Sequence, residues 1–400
     1  MPLHLNLKNK HKYAFWIMPI LVYLTVFGCA QLIALAGNCH GWWEVCWSRC
    51  DSGLYIEISK IGHTLIPCNA DNGYAIGSGK WCGNAGWAPF YPFLIYLFNF
   101  ISGIPSNVCG LLLSHLFFIA FLYMVASISA LHSFSFSNLL TLFLCALCPG
   151  GIYLYSLYPL SLLVLLISII FWCIQNNKYR YALLPAYLIA LTYSSAIIIF
   201  FCMGVYCIYL WKTNRTHKKL TLFYVDLVEQ WKAKRPFRLI ITYILIPGLC
   251  GMLSLYFYDW MVTGHWNAMY MVQNKYGHLL YSPFKNLGQH FGLFQAHLFR
   301  PEAWIDFHNI FFFFAVPVLI YILTKIKNAL TPLLIIYTLI MWYIPYSIGV
   351  NVSLYRSIVL LAPVFAFMHP LKNIHKIVLL IIAAIFYYAM GVLFILSKLP

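Results

Sequence analysis

Long apolar runs, broken only by short polar turns, constrain this chain more than any other feature. The first, Tyr13 to Ala36, holds no charged residue. Others follow at roughly 89–104, 108–131, 138–157, 158–174, 182–211, 239–262, 309–324, 329–348, 357–371 and 377–396. A continuous run of about 20 apolar residues matches the hydrocarbon thickness of a bilayer when it is helical. Strands of a membrane barrel alternate apolar and polar residues, and these runs do not. The chain is 62% hydrophobic and only 8% charged, more apolar surface than a soluble domain hides. The expected fold is an all-α polytopic membrane protein with about 10–11 spans, one integral domain over 1–400. The first run is longer than a signal-peptide core and is expected to stay in the membrane.

The net charge of +16 does not imply nucleic-acid binding. The basic residues sit mainly in short loops, where they set topology. Lys8, Lys10 and Lys12 place the N-terminus in the cytoplasm, so 37–88 is a large first outer loop. The basic segment 212–238, with Asp226 and Glu229 its only acids, marks the inner side, and 263–308 is a second outer loop. Lys325, Lys327, Lys372 and Lys376 mark inner turns. Counting 138–157 as one ordinary span leaves Lys178 and Arg180 outside. A broken segment at Cys148-Pro149-Gly150-Gly151 restores the parity, with half-spans meeting near Thr192, Tyr193, Ser194 and Ser195; irregular backbone is tolerated in a membrane where it lines a cavity.

Five of the thirteen cysteines lie in the first outer loop: Cys39, Cys46, Cys50, Cys68 and Cys82. Outside the cytoplasm one or two disulfides are expected among them, with one thiol left over. His40 or His63 with these thiols has no standard zinc spacing. The tryptophans Trp42, Trp43, Trp47, Trp81 and Trp87 suit a loop lying at the membrane interface. Leu54, Tyr55, Ile56, Ile58 and Ile61 form the apolar side of a short surface helix.

The carboxylates are few and one-sided. Glu44, Asp51, Glu57 and Asp71 fall in the first outer loop, and Asp259, Glu302 and Asp306 at the second. Outer cations are Arg49, Lys60, Lys80, Lys275, Lys285, Arg300 and Arg356. An enzyme that moves a sugar from a lipid phosphate needs one carboxylate to take the acceptor's proton. It also needs cations for the departing phosphate and an apolar groove for the lipid. Asp51 is the base candidate; Asp-Ser-Gly before an apolar helix is equally a normal N-cap. Glu57 is off the Asp51 face of that helix. Arg356 is a phosphate ligand or a snorkelling interface arginine. His63 either hydrogen-bonds a sugar or is an ordinary loop histidine. Trp87 to Tyr91, with Pro89, is a sugar platform or an interface belt. His265, Trp266, Asn267 and Gln273 form a polar island beside a span.

The stretch RCDSGLYIEISKIGH, followed by GWAPFYPFLIYLF, resembles the PIG-V-like (GPI mannosyltransferase type) family of the GT-C glycosyltransferase superfamily. That family carries WDS-x-x-Y-x-x-I-x-x-x-G-Y and then an F-F-P-L-Y-P box in its first outer loop. Asp51, Ser52, Tyr55, Ile58 and Gly62 match the first pattern, and Ala88, Pro89, Phe90, Tyr91 and Pro92 the second. Cys50 and His63 stand where the family has Trp and Tyr. YSLYPLSLLVLL is similar to a Y-T-E-S segment through Tyr158 and Ser161, with Leu160 in place of Glu. LIALTYSSAI is similar to L-T-R-P, with Tyr193 in place of Arg. DWMVTGHWNAMYMVQNKYG matches through Gly264, Ala268 and Gln273, and YRSIVLLAPVFAF through Arg356 and Pro363.

The resemblance implies a GT-C-like fold with an extracytoplasmic active site. It implies inverting transfer of a sugar, mannose in that family, from a polyprenyl-phosphate donor to a lipid or glycan acceptor, with Asp51 as base. Ser52, Tyr55, His63, Pro89, Tyr91, Gln273 and Arg356 are the expected substrate-binding residues. No cofactor or metal is called for, and the partners are the lipid-linked donor, the acceptor and membrane lipids, not nucleic acid. The short chain favours a bacterial cytoplasmic membrane over the endoplasmic reticulum. The competing expectations are a non-catalytic partner of a glycosyltransferase and a lipid or sugar transporter; a transporter predicts ionisable residues deep in spans and internal repeats.

Overall fold

A computed structural model of the chain describes residues 7–39, 46–68, 80–131, 133–193, 197–213, 236–276, 281–348 and 354–397. His40, Trp42, Trp43, Glu44, Asp71, Ser194, Ser195, Asp226 and Glu229, with most of the basic segment, lie outside the described residues. The helices in chain order are α1 Leu7–Ala36, α2 Ser52–Ile61, α3 Phe90–Ser102, α4 Ser106–Ile128, α5 Phe136–Ala146, α6 Leu160–Gln175, α7 Leu183–Thr192 and α8 Ile197–Thr213. They continue with α9 Pro236–Thr263, α10 Ala268–Gln273, α11 Pro283–Ala296, α12 Ala303–Thr324, α13 Thr331–Ser347, α14 Leu354–Met368 and α15 Asn373–Ile395. Five helices, α1 (from Phe15), α4, α9, α12 and α15, are long and apolar enough to cross a membrane. The chain is an integral membrane protein of packed helices.

Apolar residues point both inward and outward because lipid, not water, is the solvent. One face of α12 leaves Phe314, Val318 and Tyr321 exposed while Phe312, Val316, Leu319 and Leu323 face the bundle. Between α2 and α3, strands β1 (Ile66–Pro67) and β2 (Trp81–Cys82) pair antiparallel, with Ile66 opposite Cys82. Disulfides Cys39–Cys46 and Cys68–Cys82 staple the segment after α1, and Cys50 is in neither.

The two ends of the bundle are marked by side-chain bonds. Tyr123 Oη donates to the Trp16 carbonyl at 2.8 Å, so α4 runs antiparallel to α1. Gln175 Nε2 donates to the Ile128 carbonyl at 3.3 Å, bringing the ends of α6 and α4 together. Lys376 Nζ, fully buried in the first turn of α15, donates to Ser137 Oγ (2.8 Å), Thr141 Oγ1 (3.0 Å) and the His369 carbonyl (2.7 Å). These contacts gather the basic turns, with Lys178 and Arg180, at one end. Between the antiparallel helices α1 and α4 in the chain, α3 is only 13 residues long.

Helix α5 does stop early, at Ala146, and the chain turns through Cys148–Gly151. Gly150 holds φ +78°, and a Cβ there would sit 2.1 Å from the Tyr355 carbonyl oxygen. Only glycine lets this turn pass so close to α14. The turn delivers Tyr153, Tyr155 and Tyr158 to the other end of the bundle. Helix α7 ends at Thr192, and Tyr193 there adopts an extended backbone.

Candidate active site

Asp51 precedes α2 at its N-cap position, but its side chain makes no capping bond. Its Oδ2 accepts instead from Nη1 of Arg356, 305 residues away in the chain. The segment is held for this pairing by Tyr158, whose Oη accepts from the Asp51 backbone N–H at 3.2 Å and donates to the Arg49 carbonyl at 3.0 Å. Ser52 Oγ donates to the same carbonyl at 2.7 Å and is buried. Cys50, in a left-handed conformation (φ +55°), completes the tight turn.

Arg356 sits in an aromatic cage. Its guanidinium lies 5.4 Å from the Tyr153 ring and 5.2 Å from the Tyr158 ring, where cation–π attraction favours it. Tyr153 stacks on Tyr355, and Tyr158 meets Tyr55 edge-on, which in turn meets Tyr91 edge-on. Tyr193 comes close to Arg356 from the end of α7. The Asp51 side chain keeps 26% exposure against 9% for Arg356, so the carboxylate is the partner open to a ligand.

Lys275 is the second cation. It lies in the 3₁₀ turn Asn274–Tyr276, nearly buried, with Nζ 6.0 Å from the Trp87 ring centroid and 5.0 Å from that of Tyr276. Burial pushes its ammonium pKa down, and the Asp51 charge opposes that shift. Burial likewise raises the Cys50 thiol, with Arg356 pulling the other way, and raises the Tyr55 phenol well above its usual value.

Lys275 comes within range of the Asp51 charge because two segments lock together. His63 Nδ1 bonds Asp259 Oδ1 at 2.8 Å, with both side chains fully buried. Gln273 Nε2 donates to the Gly86 carbonyl at 2.8 Å, and Lys80 Nζ to the Lys275 carbonyl at 3.2 Å.

The structure therefore brings Asp51, Ser52, Tyr55 and Arg356 together, with the last three largely shielded. Tyr91 is fully buried, its hydroxyl engaged by the Gly110 carbonyl and Ser114 Oγ, both at 2.7 Å. His63 and Gln273 act on the lock between segments. Pro89 starts α3 and lines a separate cavity of about 520 Å³ with Phe90, Phe93, Tyr187, Ser254 and Tyr258. Tyr153 and Tyr193 were not among the candidate ligands, and Lys275 was one of seven outer cations, not singled out. Lys275 carried one signal, two residues after Gln273; Tyr193 carried another, at the position where the resembled family has arginine. Among the described residues no group of three His, Cys, Asp or Glu converges on a metal position. Comparisons with protein-family models, curated proteins and solved structures give no match.

Proposed function

We propose that this chain is a membrane glycosyltransferase that moves a sugar, of the mannose class, from a polyprenyl-phosphate donor to a lipid- or glycan-linked acceptor on the extracytoplasmic face. The observation that carries the reading is the Asp51–Arg356 pair, which joins the first and last segments of the family resemblance in one half-open site. Lys275, within range of the Asp51 charge, supports the same chemistry.

In this reading the pair is the resting state. When a donor phosphate enters, it takes the Arg356 fork and the Lys275 ammonium, and the Asp51 carboxylate is released to the acceptor. Asp51 accepts the acceptor's hydroxyl proton while that oxygen bonds to the anomeric carbon. The bond from that carbon to the phosphate oxygen breaks, and the electron pair leaves with the lipid phosphate. Arg356 and Lys275 face the charge that grows on it, so they act on the transition state more than on the ground state. Attack opposite the leaving group inverts the anomeric configuration. The buried acids Asp259 and Asp306 stand near helix ends rather than mid-span, which supports an enzyme over a transporter.

The test is donor binding by the purified protein in lipid, using polyprenyl-phosphate-mannose. Wild type is expected to bind, and Arg356→Gln to bind at least tenfold more weakly. Equal affinity in the two proteins contradicts the assignment.

A further inference from the structure

The sequence placed 263–308 outside the membrane, and within it α11 buries two polar side chains while leaving two aromatic ones exposed. Its buried residues include Asn286 and His290, while Phe284 and Phe291 are exposed. The polar side is satisfied inward. Asn286 Nδ2 donates to the Tyr346 carbonyl, and His290 Nδ1 bonds Asp306 Oδ1 at 3.0 Å. His297 Nδ1 takes the other oxygen, Asp306 Oδ2, at 3.2 Å. Both Asp306 oxygens are thereby used to pin α11 against α12.

The exposed side carries Lys285, Gln289 and Gln295 beside Phe284 and Phe291, and the aromatics of the hairpin meet those of a candidate span. Phe294 packs on Phe307, and Phe284 on Phe313. On α12, Trp304, Phe307, Phe314, Val318 and Tyr321 are exposed at helical spacing on a candidate span. A surface continuous with the lipid face of a span is itself covered by lipid.

At the tip of this hairpin lies a cavity of about 310 Å³ lined by Phe294, Leu298, Arg300, Ala303, Trp304 and Phe307. That is within the usual size range of ligand cavities, ~300–1,000 Å³. Its walls are apolar and aromatic, and Arg300 is its one charged lining residue. Arg300 is exposed and forms none of the ion pairs among the described residues. Phe299, next to it, is 97% exposed.

We propose that this crevice is a binding site for one anionic glycerophospholipid of the adjoining leaflet. An acyl chain lies against Phe294, Leu298, Trp304 and Phe307, and the Arg300 guanidinium takes the phosphate oxygens as a fork. The site is distinct from the Asp51 centre and independent of the glycosyltransferase reading.

The test is native mass spectrometry of the full chain released from phosphatidylcholine nanodiscs doped with phosphatidylglycerol. Wild type is expected to retain one more phosphatidylglycerol than Arg300→Gln. Lys285→Gln removes an equal charge from the same hairpin outside the crevice and is expected to retain the wild-type lipid. Both variants are surface changes, and their yield and melting temperature in phosphatidylcholine alone check folding. Loss of the lipid in both variants, retention in both, or no retained phosphatidylglycerol in wild type each overturns the site.

Discussion

Arg356 Nη1 donates to Asp51 Oδ2 across 305 residues of chain, inside a cage of Tyr153 and Tyr158. The bond joins the turn before α2 to the first turn of α14. It converts a carboxylate at an N-cap position into one half of a charged site.

The fork geometry of Arg356 makes a specific demand. Arg356→Lys keeps the charge but loses the planar, two-pronged donor and its stacking on tyrosine. Turnover is expected to fall by about 10²-fold, the scale of losing one charge-stabilising donor. Steady-state assay of purified protein in lipid reads this, with the melting temperature nearly unchanged.

Lys275 predicts an alkaline limb. Burial lowers its pKa, so the ammonium is lost at a pH below the ordinary lysine range. Below that pH the cation is present and donor binding is strong; as pH rises through it, the cation and its contribution disappear. In kcat/KM for the donor this limb should move upward in Lys275→Arg, whose guanidinium does not titrate there. A limb unchanged in that variant contradicts the role.

The His63–Asp259 bond predicts a structural phenotype. His63→Ala leaves Asp259 buried without its partner, at a cost of about 3–5 kcal/mol. The measurement is a denaturation curve in mild detergent, and the expected loss of stability exceeds that of surface substitutions. A sugar-binding role for His63 predicts the opposite split: a raised KM at unchanged stability.

The Cys68–Cys82 disulfide closes a loop of sequence separation 14 across the β1–β2 pair. Replacing both cysteines by serine should cost about 3 kcal/mol by the loop-entropy argument. Because β2 borders the segment that carries Lys275, donor affinity should fall with stability; calorimetric melting and donor titration on one preparation read both.

The sequence carried the membrane class plainly, because continuous apolar runs admit few alternatives. It also carried the elements on either side of Asp51, since local spacing marks the turn and α2. Crossing parity was not legible. FYPFLIYLFNFIS in α3 is as apolar as a span, yet its helix is only 13 residues long. Nor did Lys275 stand out among the outer cations, because its placement depends on contacts from His63, Lys80 and Gly86 far away in sequence. His63 and Tyr91 show another side: residues that read as ligands in a motif also make buried hydrogen bonds that local spacing does not reveal. In α11 the residue types were visible, but which face met the bundle was set by Asp306 on the next helix.

The most direct test of the central claim is sugar transfer from polyprenyl-phosphate-mannose by purified wild type and Asp51→Asn in lipid, at matched folding. The account predicts turnover by the wild type and a loss of at least about 10²-fold in the variant, as for removal of a positioned general base. Equal turnover by both proteins contradicts it and removes Asp51 from the chemistry.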